Sequence, residues 1–377
     1  MYSILEKEDL KNNENISKSP CPVNSYNEWD PLEEVIVGIV DGATFPKQHV
    51  ALKASIPKKI YDILFFIGGM KMPSFLHKEA KKELKEFVNI LESEGVKVKR
   101  PEIINFGKKY KTLNWESKGN CVACPRDSLM VVGDKIIEAP MSWRCRYYET
   151  ESFKSLLLDY FKQGAKWVSA PKPRLLDSLY DQNYTIPKDE EDVRYVINES
   201  EIVFDAADFV RCGRDLFVAK SNVTNDLGIE WLQRELGDEY RIHKIESKSR
   251  QPMHIDTTFM PLAPGKVLVN PKYIDVKKLP DILKSWDILI APEPDEVKRT
   301  FFSEKATMCS LWLNMNVLML DQERVIVERS QTGMIKAFKN WGFKPIPCDF
   351  MNFAPYGGAF HCATIDIRRR GELKSYF

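Results

Sequence analysis

The sequence predicts an α/β fold built radially, from five units of hairpin, helix and strand that close around one centre. Three observations carry this reading. Apolar residues recur at helical spacing in several stretches; most of these stop at a glycine and give way to a short β-patterned run; and two-stranded patterns with turn residues stand ahead of them. An ordinary α/β sheet with insertions has the same local spacing, so spacing alone leaves both architectures open. Radial closure adds convergence: equivalent hairpins facing one axis bring together residues far apart in sequence, and one domain becomes the expected organisation.

Residues 1–20 are polar and aperiodic and read as a disordered tail, with a single domain over 21–377 opening at Cys21-Pro22. Leu76 to Glu94 carries Leu76, Ala80, Leu84, Phe87, Val88 and Leu91 on one helical stripe, stops at Gly95 and leads into Val96-Lys97-Val98. A hairpin follows from Ser128 to Ile137 around Gly133-Asp134, then a helix from Glu151 to Gln163 that ends at Gly164 before Ala165-Lys166-Trp167-Val168. Asp226 to Leu236 ends at Gly237 before Tyr240-Arg241-Ile242, and Thr257 to Asn270 is a second hairpin broken at Pro264-Gly265. Val276 to Trp286 reads as a helix entering Asp287-Ile288-Leu289-Ile290 without a glycine, and Thr332 to Trp341 ends at Gly342 before Phe343. Glycine suits these ends because a helix commonly terminates on a left-handed residue.

The chain has 377 residues, 55 basic and 54 acidic, with 44% hydrophobic content. A formal charge of +1 gives no pull toward nucleic acid. The longest apolar run, Ile60 to Ile67, falls far short of the ~20 residues that span a bilayer and ends at Gly68-Gly69, so core or lid is expected, not membrane. Met1 to Leu10 resembles neither a signal peptide nor a transit peptide, which makes a cytoplasmic protein the expectation. Eight cysteines without a secretory signal read as free thiols. Cys121-Val122-Ala123-Cys124 has the spacing of a redox pair or half a zinc site, and a thiol-redox or zinc-binding protein built on it is the reading from a different class. No second CxxC and no histidine pair complete such a site, so neither metal nor cofactor is expected.

Cys362 lies behind the glycine pair of Gly357-Gly358-Ala359-Phe360-His361-Cys362, which lets a ligand approach closely; the octapeptide from Pro355 alone equally suits a packed, inert thiol. Of five histidines, His254 stands out in Pro252-Met253-His254-Ile255-Asp256, where strand alternation would put His254 and Asp256 on one face. His361 adjoins Cys362, and strand neighbours point apart, which makes it the poorer partner. Phe204-Asp205-Ala206-Ala207-Asp208 brings a carboxylate into an apolar strand, costly unless paired. Cys362, His254 and Asp205 are therefore candidates for a nucleophile, base and orienting acid. Asp127 and Asp256 add further acids, and a cluster of carboxylates beside one thiol suits a guanidinium, which binds carboxylates through two N–H groups at once. The plainer alternatives are that Asp127 caps a turn and that Asp208 pairs with Arg211 or Arg214 on the surface.

Cys21 to Gly38, Phe204 to Asp208, Arg211 to Phe217, Met253 to Asp256, Phe360 to Cys362 and Arg368-Arg369-Arg370-Gly371 together resemble the arginine:glycine amidinotransferases, in order and over nearly the whole chain after the tail. The resemblance implies a five-bladed α/β propeller of the guanidino-modifying, pentein type. It implies Cys362 as nucleophile, His254 as general acid/base, Asp205 as its partner, and Asp127 and Asp256 as the grip on arginine. It sets Met253, Cys309, Ser310 and Tyr273 near the amino-acid end of the substrate. Two departures bear on the acceptor: Lys272-Tyr273 follows Asn270-Pro271 where the glycine-using enzymes are expected to carry an arginine, and Cys309 stands where serine is usual. Both point away from glycine and toward the cyanobacterial amidinotransferases of guanidinium-toxin biosynthesis, the saxitoxin pathway in particular, with an arginine-derived amino ketone as acceptor. The implied partners are L-arginine and an acceptor amine, in an assembly compatible with a homodimer, and the implied chemistry is ping-pong. An arginine hydrolase of deiminase or dihydrolase type is the alternative within the same fold, and glycine amidinotransfer the alternative within the family.

Overall fold

The computed structural model describes residues 21–56, 58–296 and 312–377. Residues 1–20, read as a tail, and the pair Cys309 and Ser310 lie outside the described residues. The β structure falls mainly into five three-stranded sheets of one plan: an antiparallel hairpin whose second strand also pairs, in parallel, with a third strand reached through a crossover. Four sheets are sequential. They join Leu129–Val132, Lys135–Glu138 and Lys166–Ser169; Phe209–Cys212, Asp215–Val218 and Arg241–Lys244; Phe259–Ala263, Lys266–Val269 and Asp287–Ile290; and Leu318–Met319, Arg324–Glu328 and Lys344–Cys348. The other joins the chain's two ends, Thr364–Arg369 lying antiparallel to Leu32–Val37, which pairs in parallel with Lys97–Lys99.

Contacts pass from each sheet to the next and return to the first. The fourth sequential sheet meets the mixed one through Leu32 N donating to Leu320 O at 2.8 Å and Arg369 Nη2 to Met319 O at 2.9 Å. The result is the five-bladed α/β propeller of pentein type. Its hub is ionic: Arg211 grips Glu28 through Nε and Nη2, both 2.8 Å, while Asp366 accepts from Arg126 at 2.7 Å, Arg211 at 2.6 Å and Arg369 at 2.8 Å. All five side chains are buried. Charges taken out of water are tolerable only when paired and hydrogen-bonded like this. Arg211 is thus spent inside the hub, and the surface pairing with Asp208 considered from the sequence does not occur.

The crossover helices follow the apolar stripes. Ser74–Ser93 buries Ala80, Leu84, Phe87 and Leu91, and Asp226–Leu236 opens on Asn225, whose side chain accepts from Gly228 N at 2.9 Å, and closes on Gly237 at φ +72°. Lys154–Lys162 begins later than the pattern suggests because a 3-10 turn, Glu149–Phe153, precedes it. The helix expected over Val276 to Trp286 does not form. Two 3-10 turns, Val276–Lys278 and Asp281–Ser285, flank Pro280, which donates no N–H and disfavours helical backbone at Leu279. The apolar run near residue 60 is a helix, Lys58–Ile67, that buries only Leu64 and leaves Phe65 and Phe66 exposed. No helix among the described residues is long and apolar enough to cross a membrane.

Candidate active site

In every blade a short turn leads into the first strand of the hairpin, and these five turns meet around the axis. They are Pro125–Ser128, Ala206–Asp208, Ile255–Thr257, Leu313–Met315 and residues 359–363, and they carry Asp127, Asp205 with Asp208, His254 with Asp256, Asn316, and Cys362. The first four touch in succession; Asn316 Oδ1 then accepts from the 359–363 turn, whose His361 carbonyl accepts from Arg126 Nε at 2.8 Å, which completes the circle.

The turns change how several residues arrive. His254 and Asp256 are not strand neighbours: His254 sits at φ +55°, an uncommon conformation for a side chain with Cβ, and caps a 3-10 turn that holds Asp256. Asp205 likewise caps a turn and does not enter a strand. Cys362 lies in a turn as well, so the strand rule that set His361 aside fails. Its Nδ1 meets Asp256 Oδ2 at 2.8 Å and its Nε2 meets Glu28 Oε2 at 3.3 Å, tying the cysteine's neighbourhood to the ionic hub.

Around the thiol, Asn316 Nδ2 lies 3.0 Å and Asp256 Oδ2 3.3 Å from Cys362 Sγ. His254 Nε2 meets Asp205 Oδ2 at 3.2 Å, and Nδ1 faces Asp127 Oδ1 at 3.7 Å. A carboxylate oxygen of Asp127, a ring nitrogen of His254 and the Cys362 sulfur lie within 4.8 Å of one another. Arg146 completes the group. Its Nη1 donates to Asp127 Oδ2 at 2.8 Å and approaches Asp205 Oδ2 at 3.6 Å, while Nε and Nη2 hold Glu149 at 2.6 Å each. Asp127 and Asp205 therefore stand beside His254, whereas Asp208, Asp256, His254 and Cys362 line a cavity of 590 Å³. Met253 and Tyr273 line the same cavity, together with Lys248, Arg250 and Lys272.

Burial would lower the pKa of His254, but Asp127, Asp205 and Asp208 outweigh it and hold it at about 10, so the ring is an imidazolium at neutral pH. Burial raises Asp127, and raises Asp208 to about 7. Burial also works against ionised Asp256, but the hydrogen bond and charge of His361, with His254 nearby, keep its carboxyl below the usual range. One oxygen each of Asp127, Asp205, Asp208 and Asp256 is buried with no hydrogen-bond donor among the described residues. Of these, Asp127 Oδ1 faces the His254 ring at 3.7 Å, and the two on the cavity wall, Asp208 and Asp256, suit a cationic partner with several N–H groups.

Cys121 and Cys124 are buried, and burial pushes their thiols up, Cys121 to about 12. No metal-ligand group among the described residues includes either one. Gly358 is needed on steric grounds: a Cβ there would come within 2.3 Å of Cys362 Cβ and 2.6 Å of Sγ. Gly358→Ala is expected to displace the thiol, lowering activity at least tenfold for a stability loss of about 1–3 kcal/mol; thermal melts beside turnover check it, and an unaffected activity would contradict the placement.

Asn316 and Arg146 are functional candidates that sequence reasoning missed. Asn316 had a signal, since it precedes the fifth hairpin at the position where the other blades carry Asp127 and Cys362, but that hairpin's two-residue first strand, Leu318–Met319, leaves almost no β pattern. Arg146 lies in a 3-10 turn, Arg144–Arg146, with nothing local to mark it.

No protein-family model matches the chain. It is 51% identical over 355 residues to the L-arginine:L-lysine amidinotransferase of Pseudomonas savastanoi pv. phaseolicola, covering 94% of this chain and 96% of that protein. It is 46% identical over 370 residues to the mitochondrial glycine amidinotransferase of Gallus gallus, covering 95% and 85%. Among solved structures it is similar to SxtG, an amidinotransferase of the saxitoxin biosynthetic pathway from Microseira wollei, with a TM-score of 0.91, 55% identity and coverage of 95% of this chain and 100% of that one. Similarity of this depth covers 94–95% of the chain, and by it the chain belongs to the amidinotransferase family of enzymes.

Proposed function

We propose that this enzyme takes the amidino group of L-arginine onto Cys362, releases ornithine, and passes the group to a primary amine other than glycine. The observation that carries the reading is a cavity lined by a thiol, a protonated histidine and the carboxylates of Asp208 and Asp256, each with a buried oxygen lacking a donor among the described residues, while Asp127 and Asp205 stand behind the histidine. Asp256 and Asp208 face the cavity and suit the guanidinium; Asp127 and Asp205 act through His254, with Arg146 fixing Asp127.

The attacking species is the Cys362 thiolate, which adds to the guanidinium carbon. The His254 imidazolium gives its proton to the departing nitrogen, and ornithine leaves as a neutral amine. The amidino-cysteine keeps the cationic charge of the guanidinium, so the same carboxylates hold it. The acceptor, its ammonium proton lost to water, attacks the amidino carbon as a neutral amine; neutral His254 takes a proton from the attacking nitrogen, and the thiolate is expelled. One guanidine is exchanged for another, so the sequence of steps balances without an outside energy source.

For the acceptor, the relatives themselves differ, being named for lysine, glycine and saxitoxin biosynthesis. Tyr273 on the cavity wall, at the place expected to hold an arginine in glycine users, and a 590 Å³ cavity, within the usual range of about 300–1,000 Å³ for small-molecule sites, favour an acceptor larger than glycine. An arginine-derived amino ketone of toxin biosynthesis fits this description. The test offers arginine with a panel of amines (glycine, lysine and arginine-derived amino ketones) and scores ornithine and the mass of the guanidinylated product. Ornithine release should depend on an amine other than glycine; citrulline or ammonia formed from arginine alone would instead indicate a hydrolase.

A further inference from the structure

We propose that Asn316 is a catalytic residue that holds the Cys362 sulfur in its thiolate form by donating its side-chain N–H. The inference rests on Cys362 being the nucleophile, and it begins from which way the amide points. Asn316 Oδ1 accepts three backbone N–H groups, from Ala359 at 3.1 Å, His361 at 3.1 Å and Cys362 at 3.2 Å. Only the amide oxygen can accept them, so the orientation of the group is fixed by its surroundings, and the nitrogen is the atom left facing Sγ at 3.0 Å. Asn316 is itself buried, and it is neutral over the whole working range of pH.

The sulfur therefore lies between opposed demands. Asp256 Oδ2, at 3.3 Å, accepts from a thiol and repels a thiolate, and His361 keeps that carboxyl ionised. The Asn316 N–H bonds to a thiolate far better than to a thiol, because a charged acceptor roughly doubles the strength of a hydrogen bond. Other titratable groups near the sulfur among the described residues include His254 and Asp127, within 4.8 Å, and Cys124 across the Gly357-Gly358 turn, whose own thiol burial pushes well up. His254 favours the thiolate by charge; Asp127 and Asp256 oppose it. Asn316 supplies donation without adding a charge that would compete for the cationic substrate. The same residue clamps the backbone of the cysteine turn, so one amide both places the nucleophile and supports its anion.

The test separates these roles. Asn316→Asp keeps an oxygen for the three backbone N–H groups and removes the N–H donor; Asn316→Ala removes both. Iodoacetamide alkylation of Cys362, followed across pH by peptide mass spectrometry, reads the thiolate without substrate. The pH at half-maximal alkylation should rise in both variants, the rate at neutral pH should fall by about tenfold or more, and turnover should fall by about 10²–10³, as when a donor to a developing anion is lost. Should Asn316→Asp fail to fold, as judged by its thermal melt, Asn316→Ala carries the readout. A folded variant that is alkylated with the wild-type pH profile would overturn the proposal, because a purely structural asparagine predicts that result. Failure of the wild-type protein to release ornithine from arginine would count against the function and leave the alkylation result standing.

Discussion

Cys362→Ala is expected to abolish amidino transfer, with turnover falling by about a millionfold, the scale seen when a covalent nucleophile is removed and only binding remains. Among the described residues no other thiol is placed to replace it. Burial pushes up the thiols of Cys121, Cys124, Cys145 and Cys348, which makes them poor nucleophiles, and the cavity is lined by Cys362 alone among the described cysteines. Because alanine removes one buried sulfur from a turn clamped by Asn316, the fold should persist at a cost of about 1 kcal/mol. Ornithine release measured beside a thermal melt checks both halves. Substantial turnover in a folded Cys362→Ala protein would remove the covalent route from consideration.

His254→Asn is expected to stop both half-reactions, by about 10³–10⁴ in rate, since in the proposed mechanism one imidazole gives the proton to ornithine and later takes one from the acceptor. Isotope exchange between arginine and ornithine, which needs only the first half-reaction, should vanish along with net transfer. The pH dependence carries a second signature. His254 titrates in the free enzyme at about 10 and must be protonated to serve the leaving amine, so kcat/KM for arginine should decline as pH rises through about 10. The bound guanidinium weakens the field of Asp256 and Asp208, so the limb in kcat should fall at lower pH. Stability follows the same group. Its folded pKa is raised, so the contribution is complete below the ordinary histidine value of ~6.5 and fades as pH climbs through about 10. The melting-point gap between wild type and His254→Asn should therefore be largest at and below about pH 6.5, narrow as pH rises, and close above about pH 10. Exchange that survives in His254→Asn would contradict its role.

Much of the ring was legible because its repeats are punctuated by residues with narrow conformational uses. Gly95, Gly164, Gly237 and Gly342 all take positive φ after their helices, and Pro264-Gly265 makes the hairpin turn between Phe259–Ala263 and Lys266–Val269. The crossover from Val276 to Trp286 misled because its apolar spacing is helical while Pro280 interrupts it, and a breaker in mid-run outweighs periodicity. Sequence alone gathered Cys362, His254, Asp205, Asp127 and Asp256 as candidates, and the structure brings all five to one place. The local geometry was harder. Period-two reasoning applied to Pro252 to Asp256 and to His361-Cys362 treated turns as strands, and so the bond between His361 and Asp256 was not foreseen. Arg146 and Asn316 could not be weighed because their partners, Asp127 at one end and the backbone around Cys362 at the other, are 19 and up to 46 residues away. Cys309 and Ser310 lie outside the described residues, so of the four residues expected near the substrate's amino-acid end only Met253 and Tyr273 can be placed, and both line the cavity.

The most direct test of a covalent amidino-cysteine is the intact mass of the protein after rapid mixing with arginine and no acceptor, followed by peptide mapping. One amidino group per chain is expected, placed on Cys362, matched by a single burst of one ornithine and discharged when an acceptor amine is added. An adduct on any other cysteine, or ornithine formed without any adduct, would contradict it.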